Sequence, residues 1–240
     1  MANTFVKTAD GSNTIYNPEV GEHYHSTHGA LQESRHVFVD AGLQYFLDMQ
    51  SNSAKGDAQV SPAGGDLEGA AISILEVGFG TGLNFLLTAD FCTEKNISLD
   101  YTGIEAYPLS PEMMSQTEYE QYVTTETWKN FIDNYEALLL SSIDLTTSCK
   151  LQIANCKLED FQSNKQYDII YYDAFASARQ PEMWDEAAIA HTIQFLKPDG
   201  VFVTYAITGN LKRALKALGC KVEKAPGALG KREMLRAVKV

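Results

Sequence analysis

Ile74-Leu75-Glu76-Val77-Gly78-Phe79-Gly80-Thr81-Gly82 is the stretch from which the rest of this 240-residue chain can be read. A short apolar run over 72–77 ends in a glycine loop, and Leu83-Asn84-Phe85-Leu86-Leu87 continues with helical character. Strand, tight turn and helix N-terminus in that order present backbone N–H groups and the positive end of a helix dipole to a ligand. Gly78, Gly80 and Gly82 permit positive φ and leave no Cβ in the way of a close approach. The spacing is G-x-G-x-G; Leu83 stands where the dinucleotide motif G-x-G-x-x-G carries its third glycine. Glu76 would meet a pyrophosphate as like charge, yet it suits a ligand that carries an ammonium group. A purely structural turn is the plain alternative for the loop taken alone.

Working outward, the chain after residue 72 alternates strand and helix. Strands are expected at 72–77, 99–104, 151–154, 167–172 and 201–206, with helices at 82–92, 111–122, 127–140, 182–196 and 209–218. Pro181 opens the 182–196 helix, and the last two strands, near 220–224 and 234–240, form a hairpin. Such alternation implies an α/β fold: a Rossmann-like, mostly parallel, doubly wound sheet ending in an antiparallel hairpin. Ahead of it, residues 4–24 turn at Ala9-Asp10-Gly11-Ser12 and read as a small hairpin. Residues 30–49 read as one amphipathic helix, and 51–70 as a loose polar loop. The expected organisation is therefore an N-terminal extension (1–50), a loop (51–70) and a main domain (71–240).

In open α/β sheets, ligands sit beyond the carboxyl ends of the strands, so what each strand ends with matters. The first ends in the glycine loop. The second ends at Glu105, placed to accept both hydroxyls of a ribose. The third ends at Asn155, which can pair with the amino edge of an adenine, and the fourth at Asp173. A glycine loop followed by polar groups at three further strand ends fits S-adenosylmethionine (SAM), which carries an ammonium and a sulfonium and no phosphate. A nucleotide-binding oxidoreductase is the competing reading, because a dehydrogenase also places an acid after its second strand. Transfer of a methyl group from a sulfonium needs an aligned, unprotonated nucleophile and little else. Asp173 is expected to accept a hydrogen bond or proton from an amine acceptor, and Phe175 and Trp184 to close the pocket or stack on a base.

The totals set limits. No apolar run approaches the ~20 residues a membrane span needs, and no secretory leader is visible at the N-terminus. Cys92, Cys149, Cys156 and Cys220 lack C-x-x-C spacing, which points to reduced thiols in a cytoplasmic protein. His23, His25 and His28 form H-x-H-x-x-H, but no neighbouring carboxylate or cysteine completes a metal set, and none is expected. Net charge is −12, which disfavours a polyanionic partner overall. Residues 201–240, however, hold nine Lys/Arg against two acids, so a basic C-terminal sector rides on an acidic body.

Three segments resemble a known family. Asp173-Ala174-Phe175-Ala176-Ser177-Ala178-Arg179-Gln180-Pro181-Glu182-Met183-Trp184 is similar to the D-G-F-x-P-x-x-x-P-x-M-W signature of the methyltransferase domain of MnmC. Gly230-Lys231-Arg232-Glu233-Met234-Leu235 resembles that domain's G-R-K-R-E-M-L segment. Gly29-Ala30-Leu31-Gln32-Glu33-Ser34-Arg35-His36-Val37-Phe38 matches its G-x-x-E-[ST]-R-x-V-F. Ala174 and Ser177 stand where the signature has Gly and Pro, so the rigidity that a proline would lend the loop after the fourth strand is not expected. The resemblance implies a SAM-dependent enzyme that methylates 5-aminomethyl-(2-thio)uridine at the tRNA wobble position. It implies the stand-alone form, sometimes called MnmD, because no FAD-dependent oxidase domain is present in this chain. It also implies that Glu33 and Arg35 help form the cofactor or acceptor pocket. For the tRNA partner, engaged at its anticodon region, Lys212, Arg213, Lys216, Lys231 and Arg232 are the expected phosphate contacts. An aminopropyltransferase-like enzyme and a non-catalytic binding module on the same fold are the alternatives.

Overall fold

The computed structural model describes residues 2–56 and 71–240. At the N-terminus, β1 (Thr4–Lys7), β2 (Asn13–Asn17) and β3 (Glu22–His23) form an antiparallel sheet of their own, one strand larger than the expected hairpin. The expected single helix over 30–49 is α1 (Ala30–Ser34), a π-helical stretch (Arg35–Gln44) and α2 (Tyr45–Gly56). Its wider turns let three consecutive apolar residues, Val37, Phe38 and Val39, all be buried. Gly42 sits where a Cβ would stand 2.9 Å from Val203 and 3.0 Å from Tyr171, so this stretch seats directly on the sheet. Helix α2 continues into the segment expected to be loop, since each further residue of a started helix adds a bond at little cost. Residues 57–70 of that expected loop lie outside the described residues.

The main sheet has eight strands in the order β10-β11-β9-β8-β4-β5-β7-β6. Here β4 is Ile72–Val77, α3 is Leu83–Glu94, β5 is Leu99–Ile104, α4 is Pro111–Ser115 and α5 is Thr125–Leu138. They are followed by β6 (Ile143–Thr146), β7 (Cys149–Ala154), β8 (Tyr167–Tyr172), α6 (Glu186–Ile193), β9 (Leu196–Thr204), α7 (Gly209–Ala217), β10 (Cys220–Pro226) and β11 (Glu233–Lys239). Strands β9, β8, β4, β5 and β7 run parallel, and β11 and β6 add antiparallel neighbours at either side. Every residue of β4 is buried, as expected of a central parallel strand covered on both faces. One face packs on the π-helical stretch, α3 and α5; the other packs on α6 and α7. The chain steps from β4 outward to β5 and β7, then returns to β8 and β9 on the other side. The switch point, where a crevice opens, falls between β4 and β8.

Two expected helices depart in detail. The 111–122 helix is broken because Glu118 takes a left-handed φ of 60°, which turns Tyr119 inward to 0% exposure. The helix expected from 182 starts only at Glu186, after Pro181–Trp184 form a 3-10 turn and Asp185 caps Ala188 N–H. Leu196 already belongs to β9, and β6 was not expected at all. Cys92, Cys149, Cys156 and Cys220 are free thiols. No helix among the described residues is long and apolar enough to cross a membrane.

Candidate active site

The glycine loop sits at the switch point, and its conformation is the one its composition permits. Gly78, Gly80 and Gly82 have φ of 87°, 52° and 74°. The N–H groups of Gly78 and Phe79 both reach Ile104 O, at 3.1 and 3.0 Å, while Asp173 N–H donates to Val77 O at 2.9 Å. The loop is thus tied on one side to the end of β5 and on the other to the end of β8. A Cβ on Gly78 would lie 2.5 Å from the Asp173 carbonyl oxygen, so only glycine lets the two strand ends close.

Glu105 is pinned at the crest. Its Oε2 accepts Gly80 N–H at 2.8 Å and its Oε1 accepts Tyr107 N–H at 2.9 Å. Burial pushes its carboxyl upward, and these N–H groups pull back. Glu105 N–H donates to Ala154 O at 3.0 Å, which sets exposed Asn155 beside it on the crest.

Glu76 lies one residue below the crest. It is 0% exposed, with Oε1 accepting from Asn84 Nδ2 at 2.7 Å and Oε2 from the Tyr101 hydroxyl at 2.8 Å. Burial raises its carboxyl well above the ordinary range. Both of its oxygens thus have partners within the fold.

Asn84 also donates to Asp173 Oδ2 at 2.8 Å. Burial and the nearby Glu33 push the Asp173 carboxyl up to about 7, against the pull of Asn84 and Lys231. Glu33, 7% exposed, accepts Ser26 N–H at 2.9 Å and pairs with Lys231 Nζ at 2.5 Å; the same ammonium lies 3.9 Å from the centre of the Tyr205 ring. Lys231 is therefore spent inside the site rather than offered to a phosphate. Arg35, two residues past Glu33, is exposed and turned toward Tyr122 O, and so lines no common pocket with Glu33. Arg232 is exposed.

The loop after β8 is stiff despite lacking the expected Gly and Pro. Tyr205 OH holds Ala174 O at 2.9 Å, Trp184 Nε1 holds Phe175 O at 2.7 Å, and Glu22 Oε2 accepts Ala176 N–H at 3.0 Å. Trp184, 8% exposed and edge-on to Tyr172, is a core side chain that braces this loop. Phe175 keeps a half-buried position against Tyr24, ring centroids 5.1 Å apart. Tyr24 itself lies on the glycine loop, where a Cβ on Gly80 would stand 2.8 Å from its ring.

Sequence reasoning therefore missed Asn84, Tyr24, Tyr205 and Glu22. Only Asn84 carried a signal: a polar residue in the first turn of an otherwise apolar helix, directly after the glycine loop. Of the three early histidines, His23 packs on Tyr16 at 5.0 Å and His28 lies against Gly230, so they do not converge. The site as built is a glycine cradle ringed by Glu76, Glu105 and Asp173, with Asn84 Oδ1 buried and unpartnered. That excess of acid suits a cationic ligand and opposes a pyrophosphate.

A family model described as S-adenosyl-L-methionine-dependent methyltransferase matches residues 118–240. A tRNA 5-methylaminomethyl-2-thiouridine biosynthesis bifunctional protein MnmC from Magnetococcus marinus is 29% identical over 98% of this chain and 34% of its own length. The chain spans about a third of the length of the curated relatives it matches. Among solved structures, MNMC2 from Aquifex aeolicus superposes with a TM-score of 0.71 at 22% identity, covering 99% of this chain and 70% of that one. Spermidine synthase from Thermotoga maritima gives 0.51 at 12% identity, covering 100% and 72%. At these identities, the two structures share the fold with this chain.

Proposed function

Because this chain belongs to the S-adenosyl-L-methionine-dependent methyltransferases, we propose that it methylates the aminomethyl nitrogen of 5-aminomethyl-(2-thio)uridine at the tRNA wobble position. When bound, SAM supplies a methyl group on a positively charged sulfur, ready for displacement by a nucleophile. The chain's own residues supply the rest. The loop at Gly78, Gly80 and Gly82 seats the cofactor, Glu105 takes the ribose hydroxyls, and Asn155 takes the adenine edge. Tyr24 and Phe175 cover the crest and exclude water.

One observation carries the reading: Asp173 stands against Gly78, with its carboxyl pushed up to about 7. An acceptor amine must be neutral, because an ammonium has no lone pair. A carboxylate of raised proton affinity takes the N–H that the amine must shed and aims the lone pair at the methyl carbon. The proton displaced when nitrogen becomes bonded to carbon passes to Asp173 and then to solvent. The tRNA assignment is supported by the named activity of the relatives and by the three sequence segments. Exposed cations of the C-terminal sector support it further.

Mass spectrometry of nucleosides from undermodified tRNA incubated with the protein and SAM tests the proposal. A gain of one methyl on aminomethyl-uridine is the expected result. Transfer to a diamine in place of tRNA, or to neither, would overturn it.

A further inference from the structure

Asn84 lies in the first turn of α3, 2% exposed, beneath the glycine loop. Its Nδ2 is 2.7 Å from Glu76 Oε1 and 2.8 Å from Asp173 Oδ2, so its two amide hydrogens serve two different carboxylates. Glu76 is closed on its other oxygen by the Tyr101 hydroxyl, and Asn84 Oδ1 has no partner. Satisfying a buried Glu76 alone would take a single N–H; the second is directed at the acid on the crest.

We propose that Asn84 is the positioning residue for Asp173, holding Oδ2 from beneath the glycine loop and leaving Oδ1 for the acceptor amine. The inference rests on the reading of Asp173 as the base of a methyl transfer, although the contact itself does not. Because the glycine loop and Asn84 are consecutive in the chain, the element that seats the cofactor also aims the base. A displacement of the loop is thereby felt at Asp173 without any change in Asp173 itself.

The charged and titratable groups around Asp173 come from several elements. They are Glu76 on β4, Tyr101 on β5, Glu33 on α1, Tyr205 just after β9, and Lys231 between β10 and β11. Among them the Asn84 N–H and the Lys231 ammonium favour the ionised carboxylate, while burial and Glu33 oppose it. Loss of the Asn84 donor must therefore move the Asp173 titration to higher pH. Asn84→Ser leaves one donor for two carboxylates, and Asn84→Asp exchanges the donor for a third carboxylate of the same size.

The test is a carboxyl carbon-13 NMR titration of aspartate-labelled protein without tRNA, the Asp173 signal being identified through Asp173→Asn. Its midpoint is expected to rise by about one pH unit in Asn84→Ser and further in Asn84→Asp. Below neutral pH, kcat should fall about tenfold while SAM affinity stays within about threefold, because only the base is disturbed. An unmoved midpoint with a lowered melting temperature would reduce Asn84 to a packing residue and overturn the proposal. Should neither variant fold, the wild-type protein still decides. One Asn84 side-chain amide proton must shift along the Asp173 titration, and its failure to do so would overturn the proposal equally. Absence of tRNA methylation by the wild type would sink the assigned function, and it leaves this titration to be judged separately.

Discussion

Gly78 and Asp173 are in backbone contact: a Cβ on the first would stand 2.5 Å from the carbonyl oxygen of the second. The cofactor loop and the proposed base are therefore one rigid crest, joined where β4 and β8 run side by side. Gly78→Ala should suffer twice, once through its φ of 87° and once through this clash. The backbone strain alone is worth about 1–2 kcal/mol. Gly219→Ala is the control, since Gly219 has a similar φ of 80° and nothing within 4 Å of its absent Cβ. Both variants should lose stability in thermal unfolding. Only Gly78→Ala should also weaken SAM binding by calorimetry, by about tenfold or more, if a distortion near 1.4 kcal/mol reaches the cradle. Equal affinity in the two variants would show that the contact has no part in the site.

Tyr24 gives the second prediction. Its ring covers Gly80 and faces Phe175 at 5.1 Å, and burial with the nearby Glu105 pushes its hydroxyl up to about 12. It therefore stays neutral, and its contribution is the ring. Tyr24→Phe should keep most of the activity. Tyr24→Ala, by opening the crest to water, should raise the Kd for SAM several-fold, consistent with loss of an aromatic contact worth about 1 kcal/mol. Equal losses in both variants would assign the hydroxyl, not the ring.

Asp173 makes a third prediction, in which activity and stability move in opposite directions. Its carboxyl is raised from an ordinary 3.8 to about 7 in the folded protein. It can accept a proton only when ionised, so the methylation rate should rise with pH through about 7 and level off above. Because the folded protein binds this proton more tightly than the unfolded chain, the group penalises folding as pH rises from 3.8 toward about 7. Asp173→Asn should abolish transfer yet raise the melting temperature at pH 8, by a few degrees if the gain is about 1 kcal/mol. That gain should vanish near pH 4. A gain over the wild type no larger at pH 8 than at pH 4 would contradict the raised carboxyl.

What could be read in advance follows from what local pattern encodes. The runs ending at Val77, Ile104 and Tyr172 are buried at nearly every residue and that ending at Ala154 at alternate ones, so the parallel strands and the residues that follow them, Glu105, Asn155 and Asp173, stood out. The family segments added Glu33 and Arg35 as pocket members, and charge made Lys231 an expected phosphate contact. They gave residue types without partners, so the pairing of Lys231 with Glu33 and the outward turn of Arg35 emerge only in three dimensions. The hold of Trp184 on the loop, its N–H on Phe175 O, is likewise a tertiary contact that the segment alone does not encode. Edge strand β6 is only four residues long, too short for its alternation to stand out, and forms by pairing with β7. The π-helical stretch likewise answers to the sheet beneath it, through Gly42 and Phe38, which no periodicity along the chain can foretell.

The basic C-terminal sector gives the last prediction, because the structure divides it in two. Lys224 pairs with Glu233, Arg236 with Glu223 and Lys231 with Glu33, and Lys239 is held by the carbonyl oxygens of Ile193 and Leu196. These cations are already satisfied within the fold. Lys212, Lys216 and Arg232 enter no ion pair among the described residues, and Lys216 and Arg232 are exposed. If tRNA phosphates lie across this face, Lys216→Ala and Arg232→Ala should each weaken tRNA binding and lower the slope of log affinity against log salt by about 0.7–0.9. Their kcat at saturating tRNA should be unchanged. Lys231→Met should do the opposite: little change in the salt slope, a large fall in kcat, and a stability loss from leaving Glu33 buried without its partner. Filter binding across a salt series, read beside single-turnover rates, separates the two behaviours. A Lys231 variant that shifts only the salt slope would return that residue to the phosphate-binding surface and remove it from the site.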